Sequence, residues 1–335
     1  MLKFIINRVC QSLAILFFMS FVIYWLLGLM PGDPIDLMVG SNPEISTDDI
    51  KRLKELYDLD KPIVERYLNW VSNAVQGDLG YSRLFAQPVL DILTPRLLNS
   101  FILMSVSLLL ALTIAIPTGV YTATHPNSFA EKIINFLCFA GISIPPFWLA
   151  LLLILLFSVF AGVLPASGME TINDGGLIDR ALHMLLPVAT LSFATVAGYT
   201  RHVSASMSEV LQNDYIRTAR AKGLLEHSIF RKHALKNALL PVVTIIALDF
   251  GSLFSGALIT ETMFSWLGMG KTIYDSIIGS DYNLALVGLL MATALTLTAN
   301  ILADITYAIW DPRISYRKTN ENASSNGQTA KICLL

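Results

Sequence analysis

Charge is what this 335-residue sequence is short of: Asp, Glu, Lys and Arg make up 14% of it, little more than half of the roughly 25% carried by a soluble domain. It also lacks a basic excess. Lys and Arg number 23 against 25 Asp and Glu, a net charge of −2, so nothing points to nucleic acid or another polyanion as partner. Cysteine is sparse: Cys10, Cys138 and Cys333, with no C-x-x-C, give neither a disulfide framework nor a zinc site. The five histidines are scattered and no H-E-x-x-H occurs, so no metal or other cofactor is expected. What is there is apolar. A hydrophobic share of 54% and a mean hydropathy of +0.60 describe a polytopic membrane protein.

A helix crossing about 30 Å of hydrocarbon needs roughly 20 apolar residues. Six segments qualify, at about 9–30, 97–121, 133–160, 185–203, 238–260 and 284–310. The first is longer than the apolar part of a signal peptide and has no small-x-small site at its end, so it is expected to be retained. The fourth is diluted by Thr190, Ser192, Thr195, Gly198 and Thr200, small residues that also permit close helix contact. Basic residues set the orientation. Arg201, Arg217, Arg220, Lys222, Arg231, Lys232 and Lys236 crowd one connection, whereas the short connections on the other side hold Arg180 and Lys271. Arg313, Arg317 and Lys318 follow the last span, on the side of Lys3 and Arg8. The expectation is an all-α protein of six transmembrane helices with both termini cytoplasmic.

The chain then divides into the N-terminus and first span (1–30), an external polar excursion (31–96) and a five-helix core (97–318). The core includes a cytoplasmic loop (204–237), and a disordered cytoplasmic tail (319–335) follows it. In the excursion, Ser46-Thr47-Asp48-Asp49 reads as a capped helix start. Pro62 opens a second helix carrying Val64, Tyr67, Leu68 and Val71 at helical spacing.

One motif is a decoy. Gly268-Met269-Gly270-Lys271-Thr272 ends like a phosphate-binding loop, but Ser265 stands where the first glycine belongs and an apolar helix precedes it instead of a buried strand. A turn after the fifth span is the simpler reading. Glu261, near that turn, is expected to be a solvated helix end, with a gate or a binding-protein contact as the alternative.

The basic loop is the informative stretch. Asn213 suits an N-cap, Asp214 the first turn, Arg220 and Lys222 the last, and Gly223 a left-handed stop. A short helix over 214–222 is expected, with Tyr215, Ile216 and Ala219 exposed on it. A solvated connector would explain the charges but not the caps. A second helical stretch, 227–237, leads to Pro241 at the start of the fifth span.

These residues carry a resemblance. Asp214-Tyr215-Ile216-Arg217-Thr218-Ala219-Arg220-Ala221-Lys222-Gly223, with His233-Ala234-Leu235-Lys236-Asn237-Ala238-Leu239-Leu240-Pro241, resembles the permease loop of binding-protein-dependent ABC importers, in particular the dipeptide/oligopeptide/nickel branch. Pro31-Gly32-Asp33-Pro34, Ser143-Ile144-Pro145-Pro146-Phe147-Trp148 and Asp311-Pro312-Arg313 agree with it. The family's Glu-Ala-Ala is here Arg217-Thr218-Ala219, and Leu267-Gly268-Met269-Gly270 replaces Pro-Gly-Leu-Gly. The resemblance implies a transport subunit of a bacterial inner membrane with no ATPase site of its own. It also implies its partners: a second permease, two cytoplasmic ATPases docked on the coupling loops of the two permeases, here 214–223, and an external substrate-binding protein. Membrane lipid surrounds the whole.

Within the spans, Asp249 and Asp304 are costly in hydrocarbon and should face protein or water. Each is a pathway candidate, with a structural pair with a helix donor as the alternative or, for Asp304, snorkelling to the inner interface. Pro145 and Pro146 are expected to bend the third span as a structural kink, with backbone carbonyls freed towards the pathway as the alternative. Gly251, Ser255 and Gly256 read as close-packing positions. Peptide is preferred over nickel or another small solute because the spans offer no His/Cys set suited to nickel. A stand-alone channel or secondary transporter is the rival class; against it, the two halves show no inverted repeat.

Overall fold

The computed structural model describes residues 2–30, 61–172 and 175–310. The expected helix near residue 48, the Pro31-Gly32-Asp33-Pro34 and Asp311-Pro312-Arg313 motifs and the tail lie outside them.

Helix α1, Leu2–Gly28, is the first span. Pro62, extended at φ −56° and ψ 143°, precedes α2, Ile63–Val75, as the sequence suggested. Gly77 and Gly80 take φ of 91° and 84°, values that favour glycine, and turn the chain into a small antiparallel hairpin, β1 Tyr81–Ser82 and β2 Gln87–Pro88. Helix α3, Val89–Thr124, then runs for 36 residues. It begins at Val89 rather than 97 because Val89, Ile92 and Leu93 bury against Leu284 and Val287. This amphipathic extension keeps Asp91 and Thr94 exposed, so apolar run length alone misses it.

The third expected span is not one straight helix. It consists of α4, Phe129–Ser143, and α5, Pro146–Leu153, the latter continued by a π-helical stretch, Ile154–Phe160. The two parts meet at 105°. Pro145 and Pro146 supply no N–H to the α-helical ladder, which breaks there. Ser128 opens α4 by accepting from Glu131 N, while Glu131 Oε2 accepts from Asn127 N, a reciprocal cap.

Helix α6, Leu177–Leu211, packs lengthwise on α3. A Cβ at Gly119 would stand 2.7 Å from Thr200 O, so glycine permits the contact. Hydroxyls line the same seam: Ser192 donates to Ser107 O at 3.0 Å, Thr118 and Thr200 pair at 3.0 Å, and Thr122 donates to Ser204 at 2.9 Å. Two of the small polar residues that dilute the fourth span, Ser192 and Thr200, join it to the second.

After α6 come α7, Asp214–Ala221, and the short α8, Glu226–Ser228. A π-helical turn, Ile229–Ala234, then passes directly into α9, Leu235–Met263, with Pro241 inside the helix. Helix α10, Met269–Ile278, and α11, Tyr282–Trp310, complete the chain. Among the described residues, four helices are long and apolar enough to cross a membrane, or five if the bent pair counts as one span. Helix α9 has 29 residues, about 44 Å at 1.5 Å per residue.

The bundle has two distinct ends. At one, Met207, Val210, Ile216, Ile229, Ala234 and Ala238 form a buried cluster with Ala123 packed against it. At the other, Ile23 and Leu27 meet Ala285 and Leu286, with Trp70 packed beside them.

Candidate functional site

Helix α7 sits at the first of these ends and is folded for local reasons. Asn213 occupies the N-cap with extended backbone, φ −67° and ψ 147°, but its side chain makes no capping hydrogen bond, contrary to the sequence expectation. The other end closes as expected. Gly223 has φ +73°; its N–H donates to Arg220 O at 2.9 Å, and Leu224 N donates to Ala219 O at 3.4 Å. These two bonds are the Schellman closure around a left-handed glycine.

Ile216 and Ala219 are not exposed, as the sequence suggested they would be. Ile216 is 0% exposed and packs in the cluster with Met207, Val210, Ile229, Ala234 and Ala238. One face of α7 is therefore fastened to the membrane helices, the burial of Ile216 contributing about 1.5–3 kcal/mol. Tyr215 stays partly exposed and accepts from Asn237 Nδ2 at 3.2 Å. Ser206 Oγ donates to Ala238 O at 2.8 Å, so the end of α6 and the start of α9 are joined beneath α7. Asp214, Arg217, Arg220, Ala221, Lys222 and Gly223 remain on the outward face. Arg217 and Asp214 stand 3.6 Å apart, both largely exposed, an ion pair of little energetic weight.

Asp304 pairs with Arg8 at 2.9 Å, joining α11 to α1. The side chain of Asp249 lies outside the described residues, as do the neighbouring positions Gly251, Ser255 and Gly256. Pro145 and Pro146 are exposed at the break between α4 and α5.

Sequence reasoning missed the opposite end of α9. Glu261 is 0% exposed. Ser100 Oγ donates to its Oε1, and Lys271 N donates to Oε2 at 2.9 Å. Met269 N donates in turn to Ser100 Oγ at 2.8 Å. The first turn of α10 is thus held by an internal carboxylate and the hydroxyl bonded to it, on the axis where a helix N-terminus attracts an anion. A side chain at Gly268 would collide with that carboxylate. The glycines that imitate a phosphate loop make room for Glu261, and the place a phosphate would take is filled. Asp281 does the same for α11: its carboxylate accepts from Leu284 N at 3.2 Å, from Leu84 N at 3.0 Å and from Ser82 Oγ at 2.5 Å. The signal available in the sequence was the spacing of a lone acid before a glycine-rich helix start.

The family described as "Binding-protein-dependent transport system inner membrane component" matches residues 115–316, and its N-terminal component matches residues 1–87. The chain is 42% identical to the oligopeptide transport system permease protein AppB of Bacillus subtilis (strain 168), over 94% of this chain and 100% of that protein. It is 34% identical to the dipeptide transport system permease protein DppB of Escherichia coli (strain K12), over 95% and 100%. A chain of the inward-facing MetNI methionine ABC transporter superposes with a TM-score of 0.52 at 18% identity, covering 66% of this chain and 96% of that one. The fold is therefore that of an ABC importer permease. The chain belongs to the family of inner membrane components of binding-protein-dependent transport systems. It is a multi-pass transport subunit, not an enzyme.

Proposed function

We propose that this chain is one permease subunit of an importer for di- or oligopeptides and forms half of the translocation pathway. The observation that carries the reading is its 42% identity with an oligopeptide permease over 94% of this chain and 100% of that protein. In this reading α9 adds a sixth span to the other five, both termini are cytoplasmic, and a second permease completes the pathway. An external binding protein delivers the substrate. One of two ATPases docks on α7, where Asp214, Arg217, Arg220 and Lys222 face outward and Gly223 fixes the helix end, and the other on the second permease. Asp249 is assigned to the pathway and Asp304 to the Arg8 pair. Asp249→Asn should then change the preference among peptides differing in N-terminal charge, with rates normalised to assembled complex.

The test is uptake by the complex reconstituted in vesicles with its partner subunits. Expected is uptake of a labelled dipeptide or pentapeptide that needs both ATP and the binding protein and is indifferent to excess nickel. Nickel uptake without peptide, or peptide uptake without ATP, overturns the reading. Sidedness is checked separately by Asn73→Cys and Leu225→Cys in a chain lacking the native cysteines. An impermeant maleimide added to intact cells should label the first and spare the second.

A further inference from the structure

Helix α2 is more apolar than its buried face requires. Ile63, Tyr67, Trp70 and Ala74 point toward the protein. A Cβ at Gly28 would meet Ile63 at 2.6 Å. The Tyr67 ring contacts Phe17, Phe21 and Tyr24 of α1, and its hydroxyl bonds Ser20 Oγ at 2.8 Å. One position further round the helix runs a second apolar stripe at helical spacing: Val64, Val71 and Leu68, ending at Val75. Val64, Leu68 and Val75 are 53%, 59% and 83% exposed, while Val71 is half-buried. Glu65 and Ser72 flank the stripe, and Arg66 and Asn73 lie across the helix from it, Asn73 exposed.

Two observations say what covers that stripe. The first is depth. Ser20 lies within the span Ile5–Gly28, about 12 Å from its end at 1.5 Å per residue. A tyrosine reaching it holds α2 at the level of the last turns of α1, where Tyr24, Trp25, Tyr67 and Trp70 gather. Aromatic residues concentrate at that level of a bilayer. The second is continuity. Only 11% of the most apolar window of α1 is buried inside the protein, so most of that span's apolar surface is left uncovered by this chain. Phe17, 63% exposed, belongs to this surface and touches Tyr67.

We infer that α2 is an interfacial membrane helix. It lies in the leaflet at the end of the bundle opposite α7, with Val64, Leu68 and Val75 in the acyl boundary and Arg66 and Asn73 toward water. A helix with one broad apolar face and one polar face lies in the interface plane for this reason. It widens the footprint of a peripheral first span that touches little else than α11.

The experiment places nitroxide labels singly at positions 64, 66, 68, 73 and 75 of the chain within its assembled complex, with Cys10, Cys138 and Cys333 replaced by Ser, in phosphatidylethanolamine–phosphatidylglycerol vesicles. Collision with oxygen is compared with collision with a water-soluble nickel chelate, and Phe18→Cys in α1 serves as the lipid-facing standard. Expected is an oxygen-to-nickel ratio several-fold higher at 64, 68 and 75 than at 66 and 73, approaching that of position 18. A high nickel collision rate at the stripe would put it in water and overturn the inference. Protection of the stripe from both reagents would show that protein covers it, from residues 31–60 or a partner chain, and would overturn it equally.

Discussion

The two ends of α9 are fastened by different physics. At the α7 end the attachment is apolar: Ile216 and Ala219 enter a cluster of aliphatic side chains, and the polar links are few and partly exposed. At the α10 end a carboxylate with no exposed surface is bonded to Ser100 and to the Lys271 backbone, and Asp281 repeats the device next door. Apolar contact is non-directional and tolerates small slides, whereas a buried acceptor holds its donors to one geometry because leaving them unmet is costly. In the proposed reading, a partner docked on α7 would shift the first end by a small slide that keeps its apolar contacts. The second makes α9, α10 and the start of α3 move as a piece.

That contrast can be broken by mutation. Glu261→Ala should have the largest effect, about 3–5 kcal/mol, because it leaves the Ser100 hydroxyl and the Lys271 N–H buried without an acceptor. The purified complex should melt at a lower temperature, and amide exchange should rise across 266–278 but not across 214–222. Exchange rising equally in both segments would mean that the ends are not independent. Ile216→Ala comes next, at about 2–5 kcal/mol for an emptied aliphatic site, with the exchange pattern reversed. Gly223→Val costs about 1–2 kcal/mol of left-handed backbone strain. No atom stands within 4 Å of a Cβ there, so the chain should still reach the membrane while coupled ATPase activity and uptake fall. Tyr215→Phe should be the mildest. Losing one half-exposed bond to Asn237 is worth about 0.5–1 kcal/mol and should be seen only as a small drop in uptake at unchanged complex abundance.

The apolar runs made the helices legible, since hydrocarbon thickness sets a length that composition reveals directly. Gly223 was legible too, because few residues other than glycine accept its φ. Helix ends were harder. Residues 89–96 and the two ends of α6 are amphipathic extensions whose polar members hide them from a search for apolar runs. Ile216 and Ala219 were misplaced because a short helix in a charged loop gives no hint of which face meets the bundle; that depends on Ile229 and Ala238, which the chain brings back only after a turn. Glu261 was hidden for a related reason. An acid reads as solvated unless its donors are known, and Ser100 lies 161 positions away.

The π-helical turn Ile229–Ala234 frees chain length from helix rotation. Such a turn holds one residue more than an α-helical one, and each residue of an α-helix advances its face by about 100°. The wider turn takes up its extra residue locally, so deleting one there would let α9 begin as an ordinary helix with the same face toward the bundle. Composition, hydropathy and every motif within the span would stay as they are. One residue removed from the α-helical part that follows has no such outlet and would turn the rest of the helix by about 100°.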